Sequence, residues 1–442
     1  MTTKSTKHDS TTNRWMLALN AGWFGLAYLW NGLHAILLPA MLIGLVPLAL
    51  KNTYLGALTF FGLLLAMLTQ PMAGAVSDRS GWMGRWGRRR PFVALGVALV
   101  AGLLVLMAGA RTFAAIALIY AAMQVSASIA EASLQGLLPD LTPPEERGRA
   151  SGFKNAAQIA GFVAGVGLGG ILAGRGQIGL ALIVAALMVV ATNAWTLIGI
   201  AERPVKRLRR RKVGAADALR TAYGSFRIDR KAAPGYTRLL AGRALLMAGY
   251  FALQGFAQYF IADNLDAPDP ASTTALLMAV MGVAVLVLAV PTGMLADRIG
   301  RRPLNLFAGV LGALATLALV LVGAIPQLIL VGGLVGASVG IFLSANWAWA
   351  ADLVPPNEAG RYLGLSNLAT AGASAFSRLL AGPLVDGGNA LRIGLGYNLL
   401  FTLLAIAMFA GTALLAGVPE TRSVQPEPLA EPAAVDRPGR QP

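Results

Sequence analysis

Twelve runs of mostly apolar residues, each about 20 residues or longer, dominate this 442-residue chain and leave it few other ways to fold. They lie at 15–41, 53–76, 92–110, 113–138, 151–173, 178–200, 239–261, 272–295, 304–323, 327–351, 362–385 and 391–416. Such a segment crosses the hydrocarbon core as a helix, because a helix satisfies its own backbone hydrogen bonds where water cannot. The expected fold is an all-α membrane protein with twelve transmembrane helices. Only 13% of the residues are charged, about half the share usual in soluble domains. The absence of cysteine excludes disulfides and thiolate metal sites. A formal charge of +16 could serve nucleic acid, but the basic residues are spread through the loops between apolar runs. Residues Met1 to Arg14 carry no signal-peptide pattern, so the first helix is expected to direct insertion.

The widest polar gap, Glu202 to Arg238, divides the helices six and six. The expected organisation is a tail over 1–14, a six-helix bundle over 15–200, a basic linker over 201–238, a second bundle over 239–417 and a disordered tail over 418–442. With both termini inside, the cytoplasmic loops hold 23 Lys and Arg residues and the opposite loops four: Lys51, Arg111, Arg175 and Arg392. Without the linker the bias is still 11 to four. The positive-inside rule therefore places both termini in the cytoplasm, in a multi-pass protein of the cell (inner or plasma) membrane.

The halves repeat. Pro91 and Pro303, Asp140 and Asp352, Arg149 and Arg361, and Asn155 and Asn367 are each separated by 212 positions. Upstream, Gly74 and Gly293, and Asp78 and Asp297, are separated by 219. The difference of seven is extra length in the first Arg-rich loop. One shift maintained over this distance points to a duplicated six-helix unit, the usual build of secondary transporters.

The second copy of the loop reads Gly293-Met294-Leu295-Ala296-Asp297-Arg298-Ile299-Gly300-Arg301-Arg302; the first joins Gly74 and Ser77-Asp78-Arg79 to Gly87-Arg88-Arg89-Arg90-Pro91-Phe92. With twelve helices in two parallel halves, this pattern resembles the major facilitator superfamily over the whole chain. Residues 70–92, including Gln70-Pro71, resemble the plant sucrose carriers and their relatives in the glycoside–cation symporter group. The resemblance implies a cytoplasmic gate. Asp78 would cap the helix that starts near Gly360, and Asp297 the one that starts near Ser151. It also places Arg79, Arg88, Arg89, Arg90, Asp140, Arg149, Arg298, Arg301, Asp352 and Arg361 at that gate, although an Arg cluster also fixes topology on its own. Two features depart from the pattern. No Arg precedes Gln135-Gly136, and the position where plant sucrose carriers keep an acid aligns with Gln124 or Ser128.

Few charges fall within the spans: Glu131, Lys154, Arg243 and Arg378. A charge at a helix centre costs about 2.5–3.5 kcal/mol on insertion scales, so such residues are functional candidates. Lys154 and Arg243 lie near helix ends and can snorkel. Glu131 is the first candidate for proton coupling: burial favours the protonated carboxyl and an approaching cation such as Lys154 favours the charged one. The rival role is a permanent Glu131–Lys154 pair. His34 can titrate near neutral pH or simply hydrogen-bond a neighbour.

Polar stripes recur on four helices: Asn20, Asn31 and His34; Gln124, Ser128, Glu131 and Gln135; Arg243, Tyr250, Gln254 and Gln258; and Asn367, Thr370, Ser374 and Arg378. Together they imply a water-filled path, with Asn31, Gln124, Ser128, Tyr250, Gln254, Asn346, Trp347, Ser374 and Arg378 as substrate-cavity candidates. Trp347 and Trp349, with Tyr250, can stack on a sugar face or serve as packing. The glycines of the fifth helix, Gly152, Gly161, Gly165, Gly169 and Gly170, resemble the motif of drug–proton antiporters, with Val166 in place of its proline; small-residue packing is the plainer reading.

These features indicate a secondary active transporter moving a small polar solute, a sugar or glycoside, by proton-coupled symport with alternating access. An efflux antiporter for amphipathic compounds and a non-transporting sensor or scaffold are the alternatives. No nucleotide-binding loop, metal cluster or nucleophile arrangement stands out, so neither an enzyme nor an ATP-driven pump is expected. No cofactor is expected, H⁺ is the expected coupling ion, and the partners are a small-molecule substrate and the lipid bilayer. The protein is expected to work as a monomer, without nucleic acid.

Overall fold

A computed structural model of the protein describes residues 12–79, 86–202, 233–355 and 358–420, with the side chains of Arg79 and 359–361 outside that description. Twelve helices among the described residues are long and apolar enough to cross a bilayer. They are α1 (Asn13–Leu42), α2 (Lys51–Arg79), α3 (Arg90–Ala108), α4 (Phe113–Leu141), α5 (Arg147–Gly174) and α6 (Ile178–Gly199). After the linker come α7 (Tyr236–Asn264), α8 (Pro270–Ile299), α9 (Arg301–Ala318), α10 (Ile325–Asp352), α11 (Ala359–Leu391) and α12 (Leu395–Ala416).

Local chemistry sets the helix starts. Thr12, Thr112 and Asp269 each accept a hydrogen bond from a backbone N–H in the first turn of the helix that follows. Prolines sit at the first positions of α3, α8 and α10, where no N–H is missed. Pro71, Pro139, Pro291 and Pro383 lie inside helices, a placement that helix-to-helix packing tolerates. Large apolar side chains such as Leu187, Ile198 and Leu321 are exposed on the outer surface, as a lipid solvent requires.

The same five helix pairings occur in each half: α1 with α5 and α6, α2 with α4, and α3 with α4 and α6, matched by α7 with α11 and α12, α8 with α10, and α9 with α10 and α12. The halves meet through α2 against α11 and α5 against α8. Glycine decides how closely α5 packs on α1. A Cβ at Gly161 would overlap the carbonyl oxygen of Phe24, and one at Gly165 that of Tyr28. These glycines are a packing surface, the plainer of the two readings of that motif.

The boundary of the C-terminal tail differs from expectation. Val418, Pro419 and Glu420 were assigned by sequence to a disordered tail, but Val418 is buried and the Pro419 carbonyl accepts from Trp349 Nε1 at 3.1 Å. Residues 421–442, 203–232 and 1–11 lie outside the described part.

Overpacking the α1–α5 seam with Gly165→Leu is expected to cost about 1–3 kcal/mol or more. The purified variant should therefore melt at a lower temperature than Gly167→Leu, since Gly167 faces open space.

Candidate functional site

The Arg-rich loops build two copies of one cluster. In the first half Arg89 donates to Asp140 at 2.6 Å and pairs with Asp78 at 2.7 Å, while Arg88 also pairs with Asp140 at 2.6 Å. Asp140 raises the Arg88 guanidinium above its ordinary range, so this charge is fixed at any physiological pH. In the second half Arg301 bridges Asp297 at 2.5 Å and Asp352 at 3.3 Å. Arg90 reaches the carbonyl of Leu197, and Arg302 that of Ala416. The Arg89 side chain lies across Gly136, where any Cβ would collide with it. Arg149 donates to Asn13, Arg298 is exposed, and the side chains of Arg79 and Arg361 lie outside the described residues.

Two residues that the sequence reading missed complete the copies, one in each. Glu202 accepts from the backbone N–H groups of Arg89 and Arg90, and Glu420 from those of Arg301 and Arg302 at 2.8 and 3.0 Å. Each carboxylate caps the exposed N–H groups at the start of α3 or α9, where the helix dipole favours negative charge. Their separation of 218 positions, close to the repeat, was the signal available.

Asp78 and Asp297 pair with arginines of their own halves, and the helix start near Gly360, the expected partner of Asp78, lies largely outside the described residues. The two ends of the molecule differ. At the end away from the Arg-rich loops, Asp386 of α11 accepts four hydrogen bonds from the start of α2: Asn52 N at 3.4 Å, Asn52 Nδ2 at 2.8 Å, and Thr53 N and Oγ1 at 2.7 Å each. Beside it Lys51 pairs with Asp263 at 2.5 Å, and Tyr397 donates to Asp263 at 2.8 Å. Tyr259 donates to the Pro39 carbonyl at 2.9 Å. A Cβ at Gly170 or Gly382 would collide with the opposite half. At the arginine-loop end, Gly152, Gly293, Gly364 and Gly372 on the same interface helices have nothing within 4 Å of where a Cβ would stand. Among the described residues, the halves are latched at the far end and the interface glycines are open at the arginine-loop end.

Between these ends lies the polar path. Glu131 is the acid at its centre: Trp30 Nε1 donates to its Oε1 at 2.7 Å, and Gln70 Nε2 to Oε2 at 3.5 Å. The permanent Glu131–Lys154 pair is not formed. Lys154 instead donates to Gln135 at 2.7 Å, and its ammonium sits 4.0 Å from the centre of the Trp23 ring. His34 lies in a π-helical turn, Leu33–Leu37, and shares a 2.8 Å hydrogen bond with the Tyr120 hydroxyl. Such turns recur at functional sites. Its ring also stacks on Trp30. Gln124 donates to the same hydroxyl at 2.7 Å. Ser128 bonds back to the Gln124 carbonyl, so its hydroxyl is committed to its own helix.

Between the halves, a mostly apolar cavity of about 310 Å³ is lined by Gln158 and Phe162 of α5 and by Tyr250, Phe251, Gln254 and Thr370 of the second half, among others. Gln254 reaches Asn31 at 3.4 Å, which joins the halves midway. Tyr250 shares its hydroxyl with Ser338. Arg243 does not snorkel: it is 4% exposed, donating to Asn346 at 2.6 Å and Thr370 at 2.9 Å, with its guanidinium over Trp347. Trp349 is fully buried and cannot stack on a solute. Ser374 and Arg378 are buried on α11, one turn apart.

The family profile of the Major Facilitator Superfamily matches residues 24–377 and 239–440. Solved structures similar in fold include a D-xylose–proton symporter (16% identity, 92% of this chain and 98% of that chain, TM-score 0.68). The nucleoside transporter NupG is another (15%, 91% and 99%, 0.69). So is a bacterial homologue of the human lysosomal transporter Spinster, in an inward-facing, unoccupied conformation (15%, 92% and 96%, 0.67). No curated protein matches in sequence.

Loss of a helix-capping carboxylate costs about 0.5–2 kcal/mol. Glu202→Gln and Glu420→Gln should therefore lower the melting temperature by similar amounts, as duplicated geometry requires; a drop in only one variant would contradict the shared role.

Proposed function

The chain belongs to the major facilitator superfamily, and on that premise we propose that it is a proton-coupled symporter for a sugar or glycoside, working by alternating access. The observation that carries this reading is the setting of Glu131. Its carboxyl sits on the path between the halves, held by the neutral donors Trp30 and Gln70 rather than by a cation. An acid without a fixed countercharge can gain and lose a proton as its surroundings change, which coupling demands. Lys154 of α5, tethered to Gln135 one helical turn along α4 from Glu131, is the cation that would approach it in another state.

The amide, hydroxyl and indole groups along the path suit a polyol, which needs many hydrogen-bonding partners and flat apolar faces. The shared fold with a D-xylose–proton symporter supports the same class. The Arg-rich end faces the cytoplasm by its charge, so the state described is inward-facing. The Arg-rich first loop supports a place near the sucrose carriers. Of the fifth-helix glycines that resemble the efflux motif, Gly161 and Gly165 pack on α1 and Gly170 on α8, which supports the packing reading.

Uptake of labelled sucrose or maltose into proteoliposomes under an inward proton gradient tests the reading. Accumulation should occur in the native chain and fall to the protein-free level in Glu131→Gln, while exchange of sugar in the absence of a gradient persists. Undiminished accumulation in Glu131→Gln would remove Glu131 from the coupling step.

A further inference from the structure

Arg378 is a buried cation with no carboxylate partner among the described residues. The residue is 4% exposed, on α11 just below the Asp386 latch. Its one hydrogen bond among the described residues is a long one, from Nε to the Phe251 carbonyl at 3.5 Å. Among the described residues the two terminal nitrogens carry no hydrogen bond, yet they are not among the polar atoms sealed from the accessible surface. The side chain lies over Gly255, where any Cβ would come within 3.2 Å of Nε. Its charged and titratable neighbours are His34 and Tyr120, with no carboxylate among them. The carboxylates of the same region are engaged: Asp386 by Asn52 and Thr53, and Asp263 by Lys51 and Tyr397. Arg243, the other buried arginine of this half, is likewise held only by neutral partners, Asn346 and Thr370.

A buried guanidinium is costly unless something pairs with it. Its planar fork is shaped to bind a carboxylate with two parallel hydrogen bonds. We propose that the cargo is acidic, a sugar or glycoside bearing a carboxylate, and that Arg378 binds that carboxylate at the closed end of the path. Gln254 and Asn31 then meet the hydroxyls, since they join the halves beside it. This inference rests on the sugar reading for the rest of the solute, but the anion site stands on Arg378 alone.

The test uses the full chain in proteoliposomes under an inward proton gradient, with three labelled probes: D-glucuronate, D-glucose and L-lactate. Glucuronate should accumulate well above glucose. Arg378→Gln should reduce its uptake by about thirtyfold or more, the effect of stripping one partner from a buried charge pair. Arg378→Lys, which keeps the charge but loses the fork, should retain part of it. Size-exclusion profiles and melting temperatures establish that both variants fold, and glucuronate should raise the melting temperature of the native chain but not of Arg378→Gln. Equal uptake of glucose and glucuronate, or glucuronate uptake indifferent to Arg378→Gln, overturns the anion site and leaves sugar transport standing. Uptake of lactate alone, lost in Arg378→Gln, keeps the anion site and overturns the sugar reading. Uptake of none of the three overturns the anion site, and with no uptake of sucrose or maltose either, the sugar reading as well.

Discussion

A carboxylate in a nearly dry interface must be satisfied, and Asp386 is satisfied by four donors from the first turn of α2. The start of a helix presents unpaired N–H groups and a partial positive charge, so an acid from the opposite half is a strong fastening. Hydrogen bonds to charged groups contribute about 1.5–3 kcal/mol each. Moving a two-state equilibrium from 1:99 to 99:1 takes about 5.5 kcal/mol. One latch of this kind is therefore large enough to decide which end of the molecule is shut. The Lys51–Asp263–Tyr397 cluster beside it binds the same two halves. With the far end fastened, the arginine-loop ends of α2, α5, α8 and α11 are free to stand apart.

The arginine clusters are rigid pads rather than the lock in this state. Arg89 and Arg301 each gather two carboxylates of their own half, and Glu202 and Glu420 fix the starts of α3 and α9. Each half is thus tied together at this end by its own ion pairs. Asp78 and Asp297 sit at the pad edges, more than half exposed. The device inferred for Asp78, a carboxylate on the N-terminus of a helix across the interface, is present at the opposite end with the helices exchanged: Asp386 of α11 on the start of α2.

Much of this fold is legible in the sequence, because a bilayer imposes a length and an apolarity on every span and duplication leaves a constant shift. The spans, the α8–α9 loop and the equivalence of Asp140 and Asp352 follow from those two patterns. The misses have physical causes. Asp386 falls one residue beyond an apolar run ending at 385, and Glu202 and Glu420 lie just past such runs, so hydropathy assigns them to loops. Arg243 looked able to snorkel because its partners, Asn346 and Thr370, come from helices about a hundred residues away. Ser128 belonged to a polar stripe, but a serine can spend its hydroxyl on its own backbone. Nothing in the residues around His34 announces a π-helical turn.

Because the chain has no cysteine, spin labels can be placed in pairs without background. Distances between labels at Val76→Cys and Gly364→Cys report the arginine-loop end, and those between Leu48→Cys and Leu391→Cys the far end. If Asp386 is the fastening, Asp386→Asn shortens the first distance and lengthens the second in a substantial part of the population. Distributions unchanged by Asp386→Asn would show that the closed end is held by something other than this carboxylate.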